Sequence, residues 1–283
     1  MTTASKDARL LHRCLTNKSL PPIPRPAPPP TTTTTTTTTT VLVGSEKTRF
    51  KLDRDRLCAV SAFFHDRLGA GDGQLWLPAE SAAAFGLLAQ WLHESSSLDG
   101  VVALARARGS KAARELHWPL VSLHLLASRL HVHQLQDHAM DLLQDLYLAC
   151  NWHVAPSLVA YLYTKCDVIP AVRIRRWVVA MVAAASDDED DVGDETRTKF
   201  GSLPDFVDDY HLHLAGLARA GLDVRLKDPR RRIACNRLRN HGRRFAFRQC
   251  SFHVHRAAVG EGPCPHARGH DSCSADEDGK PVL

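Results

Sequence analysis

The sequence predicts a helix-dominated α+β fold, in which a short three-stranded sheet caps a helical cluster and a helical extension comes after it. Three observations carry this reading. The β-branched-rich run Val41-Leu42-Val43 and the alternating Thr48 to Leu52 read as two short strands around a turn, Leu75-Trp76-Leu77 makes a third short strand, and the rest of the hydrophobic material recurs at helical spacing. Hydrophobic residues make up 44% of the 283, enough to bury a real core, but they are unevenly spread, so the folded part is smaller than the chain.

The chain opens on a segment that cannot build a core. After a short Leu-bearing stretch comes LPPIPRPAPPP at residues 20–30, which fixes φ and removes amide donors. Ten threonines come next, Thr31 to Thr40. Residues 1–40 are therefore read as a disordered, low-complexity Pro/Thr-rich spacer, with order beginning near Val41.

Val41-Leu42-Val43, a turn at Gly44 to Lys47, and the alternating Thr48 to Leu52 form a hairpin pattern. From Asp53 one helical stretch carries Leu57, Val60, Phe63 or Phe64, and Leu68 at three- to four-residue steps, until glycines 69, 71 and 73 end it. The third strand stops at Pro78, and a helix over 79–94 presents Phe85, Leu88 and Trp91 on one face. Residues 95–111 are small and polar and read as a variable loop. Two helices, 118–130 and one through Leu135, Leu142 and Leu146, form an α-hairpin. A helix opens at Pro156, a first-turn position that proline tolerates, and a last amphipathic helix carries Val172, Trp177 and Met181 after Pro170.

The organisation predicted is residues 41–150 as the main domain, 151–186 as a helical extension and 187–203 as an acidic linker. A helical then basic region spans 204–248, and 249–283 is a Cys/His-rich, largely irregular tail.

The order strand, turn, strand, helix, strand, helix, loop, α-hairpin, helix pair contains FKLDRDRLCAVSAFF at residues 50–64. This segment resembles the BTB/POZ signature, in which a strand Phe precedes a polar stretch, a Leu-Cys pair and Ser-x-Phe-Phe. The likeness continues at Leu77-Pro78, at FGLLAQWL (85–92), and at Leu125-Ala127-Leu130 ahead of Leu135-Gln136-Asp137. The extension from Pro156 to Ala185 is similar to the segment C-terminal to the domain in a fungal BTB/POZ domain-containing family. The resemblance spans residues 41–186. It implies a non-enzymatic module for protein–protein interaction, a dimerising or cullin ubiquitin-ligase adaptor scaffold, with other proteins, a second copy and a cullin as partners. The structural core it implies is Phe50, Leu57, Phe63, Phe64, Leu77, Phe85, Leu88 and Trp91. The chain departs from the family pattern at Asp53-Arg54, where His then Lys or Arg is usual, and at His93-Glu94-Ser95, where Tyr-Thr-Gly is common.

No enzymatic constellation stands out: no GxGxxG, P-loop, GxSxG or HExxH. The histidines at 117, 124, 131, 133 and 138 are read as surface or boundary residues. In the tail, Cys250, His253, His255 and Cys264 bring thiolates and imidazoles to the short spacing tetrahedral zinc uses, although the pattern matches no standard zinc-finger spacing. No cofactor is expected otherwise, and a loop with free thiols is the plainer reading. The arginine-dense stretch 225–248, interleaved with Phe245 and Phe247, has an ordinary reading as a solvated region folding back on Asp187 to Glu195. Its alternatives are nuclear import and phosphate contact, which would make the chain a nucleic-acid-associated regulator acting through its basic Cys/His tail. The N-terminus lacks an apolar h-region and no run of eighteen apolar residues exists, so an intracellular protein, nuclear or cytoplasmic, with no membrane partner is expected.

Overall fold

Strands β1 (Thr38–Val43) and β2 (Thr48–Asp53) pair antiparallel, with Val43 opposite Thr48 and Thr38 opposite Asp53. Gly44 turns the chain at φ +76°, a conformation that suits a residue without Cβ. The structure, a computed structural model, describes residues 37–69, 74–185, 200–219, 221, 227–233, 246–248 and 250–254. The ordered strand begins at Thr38, three residues before the position expected. Threonine is β-branched and suits a pleated surface, and Thr39 is buried against the body. Residues 38–40 therefore belong to the sheet and not to the spacer.

The expected single helix after Asp53 is two: α1 (Arg54–Val60) and α2 (Ala62–Gly69). Ser61 breaks them by adopting an extended conformation. Its buried hydroxyl donates to the Leu130 carbonyl at 2.5 Å and accepts from the Phe64 amide at 3.4 Å. Asp53, where the family pattern has His, is the N-cap of α1 and accepts from the Arg56 amide at 3.0 Å. The neighbouring Arg54 guanidinium donates to the carbonyl of Leu68, closing the other end of the pair.

Strand β3 (Gln74–Leu77) runs parallel to β1, so the sheet order is β2-β1-β3. Helix α3 (Ala82–His93) is capped by Ser81, whose hydroxyl accepts from the Ala84 amide. Phe85 of α3 meets Phe50 of β2 with ring centroids 4.9 Å apart, which joins sheet to helices. Glu80, just before α3, is held by a bidentate pair with Arg129 at 2.9 and 2.5 Å.

The predicted loop 95–111 is mostly helical. A 3-10 turn (Ser95–Leu98) leads into α4 (Val101–Ala107), and α5 (Ser110–Arg129) runs on without stopping at Pro119. Leu98, Val102, Ala105 and Ala113 are buried, so this segment has an apolar face written in small residues. Helix α6 (His133–Cys150) packs against α5 as the expected hairpin and ends at Asn151 in the left-handed conformation. Helices α7 (Pro156–Thr164), α8 (Val168–Ala185) and α9 (Pro204–Arg219) complete the helical series. Pro170 lies in the first turn of α8 and does not precede it.

One continuous core joins these elements. Leu57, Phe64, Leu77, Phe85, Leu88 and Trp91 are buried in it, and Phe50 and Phe63 are half-buried against it. Leu123, Leu126 and Leu142 extend it into the hairpin, and Trp177 of α8 is fully enclosed at its far end. Each large side chain taken from water contributes roughly 1.5–3 kcal/mol. The α7–α8 connection is held by Arg175, a buried cation. Its guanidinium donates to Leu162 O at 2.7 and 3.0 Å and to Cys166 O at 3.0 Å, and lies 4.5 Å over the Tyr163 ring.

Candidate functional site

Among the described residues, a cluster of partly buried charges lies where the C-terminal part of the chain returns to the helical hairpin. On α6, Asp137, Asp141 and Asp145 stand at i, i+4 and i+8, one above the other on a single face. Strands β4 (Asp228–Ile233) and β5 (Ala246–Arg248), a two-stranded parallel sheet, and the turn 250–254 are laid near this face. Arg232 reaches Asp141 and, at 2.7 Å, Asp145. His253 Nε2 lies 2.9 Å from Asp141 Oδ1, and its Nδ1 lies 3.8 Å from Asp137 Oδ2. The Val254 amide donates to Asp137 Oδ1 at 2.6 Å.

Other polar contacts go to main chain. Gln144 Nε2 and Trp177 Nε1 both donate to Pro229 O, at 2.6 and 3.3 Å. Arg173 of α8 donates to Val254 O at 3.4 Å. Phe247, Cys250 and Phe252 are buried, and Phe247 and Phe252 meet with centroids 5.2 Å apart. Arg230 turns outward along the same edge, donating to Asn151 Oδ1 at 2.9 Å and pairing with Asp228.

Burial pushes the Asp141 carboxyl up, but the His253 hydrogen bond and charge, with Arg232, outweigh it and hold the group below the usual range. Burial raises Asp145, which shares Arg232 with Asp141 and feels its negative charge. Beneath the docked segment, His124 of α5 is fully enclosed and neither ring nitrogen has a hydrogen-bond partner. Burial, then the charges of Arg173 and His253, push it down to about 3, so the ring is neutral at ordinary pH. Burial, then the Arg176 charge, takes Arg173 down to about 10, with Asp137 opposing.

These placements correct two expectations. His124 is a core residue and not a surface or boundary one, whereas His117, half-buried with Nε2 2.9 Å from the Tyr147 hydroxyl, is a boundary residue as expected. A helix face buried against a second layer leaves no water for an imidazole, whatever its polarity. Of the described arginines of the basic stretch, Arg230 and Arg231 pair with Asp228, and Arg232 pairs with Asp141 and Asp145; Asp187 to Glu195 lies outside the described residues, as does Phe245. Phe247 is packed in the core and does not offer a face to a base.

Of the four tail residues with metal-ligand chemistry, Cys250 and His253 are buried, with His253 turned to two carboxylates; His255 and Cys264 lie outside the described residues. Among the described residues no group of three or more His, Cys, Asp or Glu side chains is arranged to hold a metal ion. The acidic row itself was missed in the sequence, where its signal was three carboxylates at four-residue spacing and an arginine-rich stretch of opposite sign.

Elsewhere the body shows apolar side chains to solvent. At the start of α8, Val168, Ile169 and Val172 are exposed, Ile169 by 84%. Trp76, on edge strand β3, is half exposed, with Lys47 over its ring at 5.0 Å. At the end of α3 the Arg56 guanidinium donates to His93 O at 2.9 Å. No described helix is long and apolar enough to cross a membrane.

No family model matches this chain, and neither a curated protein nor a solved structure matches it.

Proposed function

We propose that the chain is a non-enzymatic protein–protein interaction module of BTB/POZ type that recruits partners through its helical surfaces and acts as a dimerising or cullin-adaptor scaffold. The observation that carries the reading is the ordered set Phe50, Leu57-Cys58, Ser61, Phe63-Phe64. Its members do coherent work in the fold. Phe50 packs on Phe85, Leu57 and Phe64 are buried, and Ser61 pins the helix break to the end of α5. A hairpin, two short helices, a third strand and a helical hairpin in this order support the same reading. The exposed apolar turn Val168-Ile169 and the indole of Trp76 provide the kind of surface partner recruitment uses. At the two departures, Asp53 caps α1 and His93 gives its carbonyl to Arg56, so both positions have local structural work.

The test is sedimentation equilibrium of the full chain, with calorimetric titration by a purified cullin N-terminal domain. Self-association or cullin binding at micromolar strength supports the proposal. A strict monomer at its highest soluble concentration that gives no heat with the cullin overturns the scaffold reading.

A further inference from the structure

We propose that the exposed face of α4 and of the first half of α5 docks an acidic protein segment that carries large apolar residues. The inference names the partner's chemistry for the recruitment reading and rests on it.

Residues 101–114, VVALARARGSKAAR, hold four cations and no acidic residue. All four, Arg106, Arg108, Lys111 and Arg114, are exposed. Lys111 lies 3.8 Å from exposed Glu115. Among the described residues the side chains of the three arginines have no hydrogen bond or ion pair. The patch also has an apolar part: Leu104 is 49% and Trp118 42% exposed. Lys111, Arg114 and Trp118 stand at i, i+3 and i+7 of α5, so they share one face. Leu104 and Arg108 stand four apart at the end of α4, where the Arg108 amide donates to Leu104 O at 3.1 Å. Val102, Ala105 and Ala113 are buried and fix the inner faces of the two helices. The Trp118 ring meets His117 and Tyr161 edge to face, with centroids at 5.2 and 5.3 Å. The indole is therefore held in one orientation, and covering it costs little rotamer entropy. Arginine and tryptophan are also the side chains that carry most of the binding energy at protein interfaces.

This arrangement works against the chain's own stability. Like charges three apart on a helix repel. The first turn of α5 has no acidic residue and no side-chain cap from Gly109, and Lys111 stands there against the helix dipole. An anionic partner reverses both effects. Two features favour a protein segment over a nucleic acid. A phosphate backbone would meet the Glu115 carboxylate and leave Leu104 uncovered. An acidic segment with leucine or phenylalanine covers Leu104 and Trp118, and its carboxylates pair bidentately with the free guanidinium groups.

The experiment uses the full chain and a fluorescent synthetic peptide of Asp and Glu, with Leu and Phe at three- and four-residue spacing, read by anisotropy. Micromolar binding is expected. The double variant Arg108→Glu, Arg114→Glu should weaken it at least about tenfold. Leu104→Ser should weaken it about fivefold. Arg49→Glu with Lys51→Glu changes the net charge equally at exposed positions of β2, and should leave binding within about twofold. No binding by the unmodified chain overturns the proposal, as does an equal loss in the two charge variants, which marks non-specific attraction. So does a DNA duplex that binds the unmodified chain more tightly than the peptide and loses affinity in the Arg108→Glu, Arg114→Glu variant. Should that variant fail to fold, a peptide with Asn and Gln in place of Asp and Glu tests the charge requirement on the unmodified chain. Equal binding of the two peptides then overturns the proposal. A chain that self-associates or binds a cullin but not the peptide keeps the scaffold reading and loses this one. Peptide binding at this patch without either supports the docking site and removes the scaffold reading.

Discussion

Acid should destabilise this protein through His124, and replacing that residue should remove the effect. The ring is fully buried, both nitrogens lack partners, and burial with the Arg173 and His253 charges holds it down to about 3, against an ordinary 6.5. The folded state therefore binds fewer protons than the unfolded state between these values, and stability falls as pH drops below 6.5. Each unit is worth about 1.36 kcal/mol, so acidification from pH 7 to pH 5 costs about 2 kcal/mol at this residue alone. His213, which burial and then the Arg176 charge take down to about 4, adds a loss of the same sign that is common to both proteins and cancels in a comparison. The perturbation is His124→Leu, of similar volume. It removes two unsatisfied buried nitrogens and should stabilise the fold at pH 7 by about 1–3 kcal/mol. Urea unfolding of both proteins at half-unit steps from pH 7.5 to 5 is the assay. The gap between them should widen by about 2 kcal/mol toward the acid end. A parallel pH dependence in the two proteins, or a leucine variant less stable at pH 7, would refute the reasoning.

Three further substitutions probe the frame. Phe64→Ala, at a fully buried position beneath the hairpin, should cost about 3–5 kcal/mol, and an unchanged melting curve would remove Phe64 from the core. Asp53→Ala takes the cap from α1 and should cost about 1 kcal/mol in denaturant midpoint, with Asp53→Asn restoring most of it. Arg175→Met strips the donors from Leu162 and Cys166 carbonyls and should cost about 1–3 kcal/mol, seen first as faster amide exchange in α7.

The local periodicities were enough to place most elements. A β-branched-rich run marked β1 and alternation marked β2, three- and four-residue steps marked α3, α5 and α6, and Pro156 marked the start of α7. Large apolar residues repeat at intervals that only one secondary structure can put on one face, so this information is local. It failed where the apolar face was written in small residues. Leu98, Val102, Ala105 and Ala113 lie among glycines, serines and arginines, and α4 with the start of α5 looked like a loop. It failed also at Ser61, whose helix-breaking conformation is held by a carbonyl 69 residues away.

The sequence by itself therefore determined the class of fold, the hairpin turn, and most of the side chains that fill the core. Only the tertiary structure decided the use of charge. Nothing local says that Arg232 meets Asp141 and Asp145, 87 or more residues earlier, or that His253 comes to the same row. Nor does spacing alone say that His124 sits neutral in the core beneath them. Whether an ionisable side chain is solvated, paired or stripped of water depends on which distant element covers it, and coverage is set by packing of the whole chain.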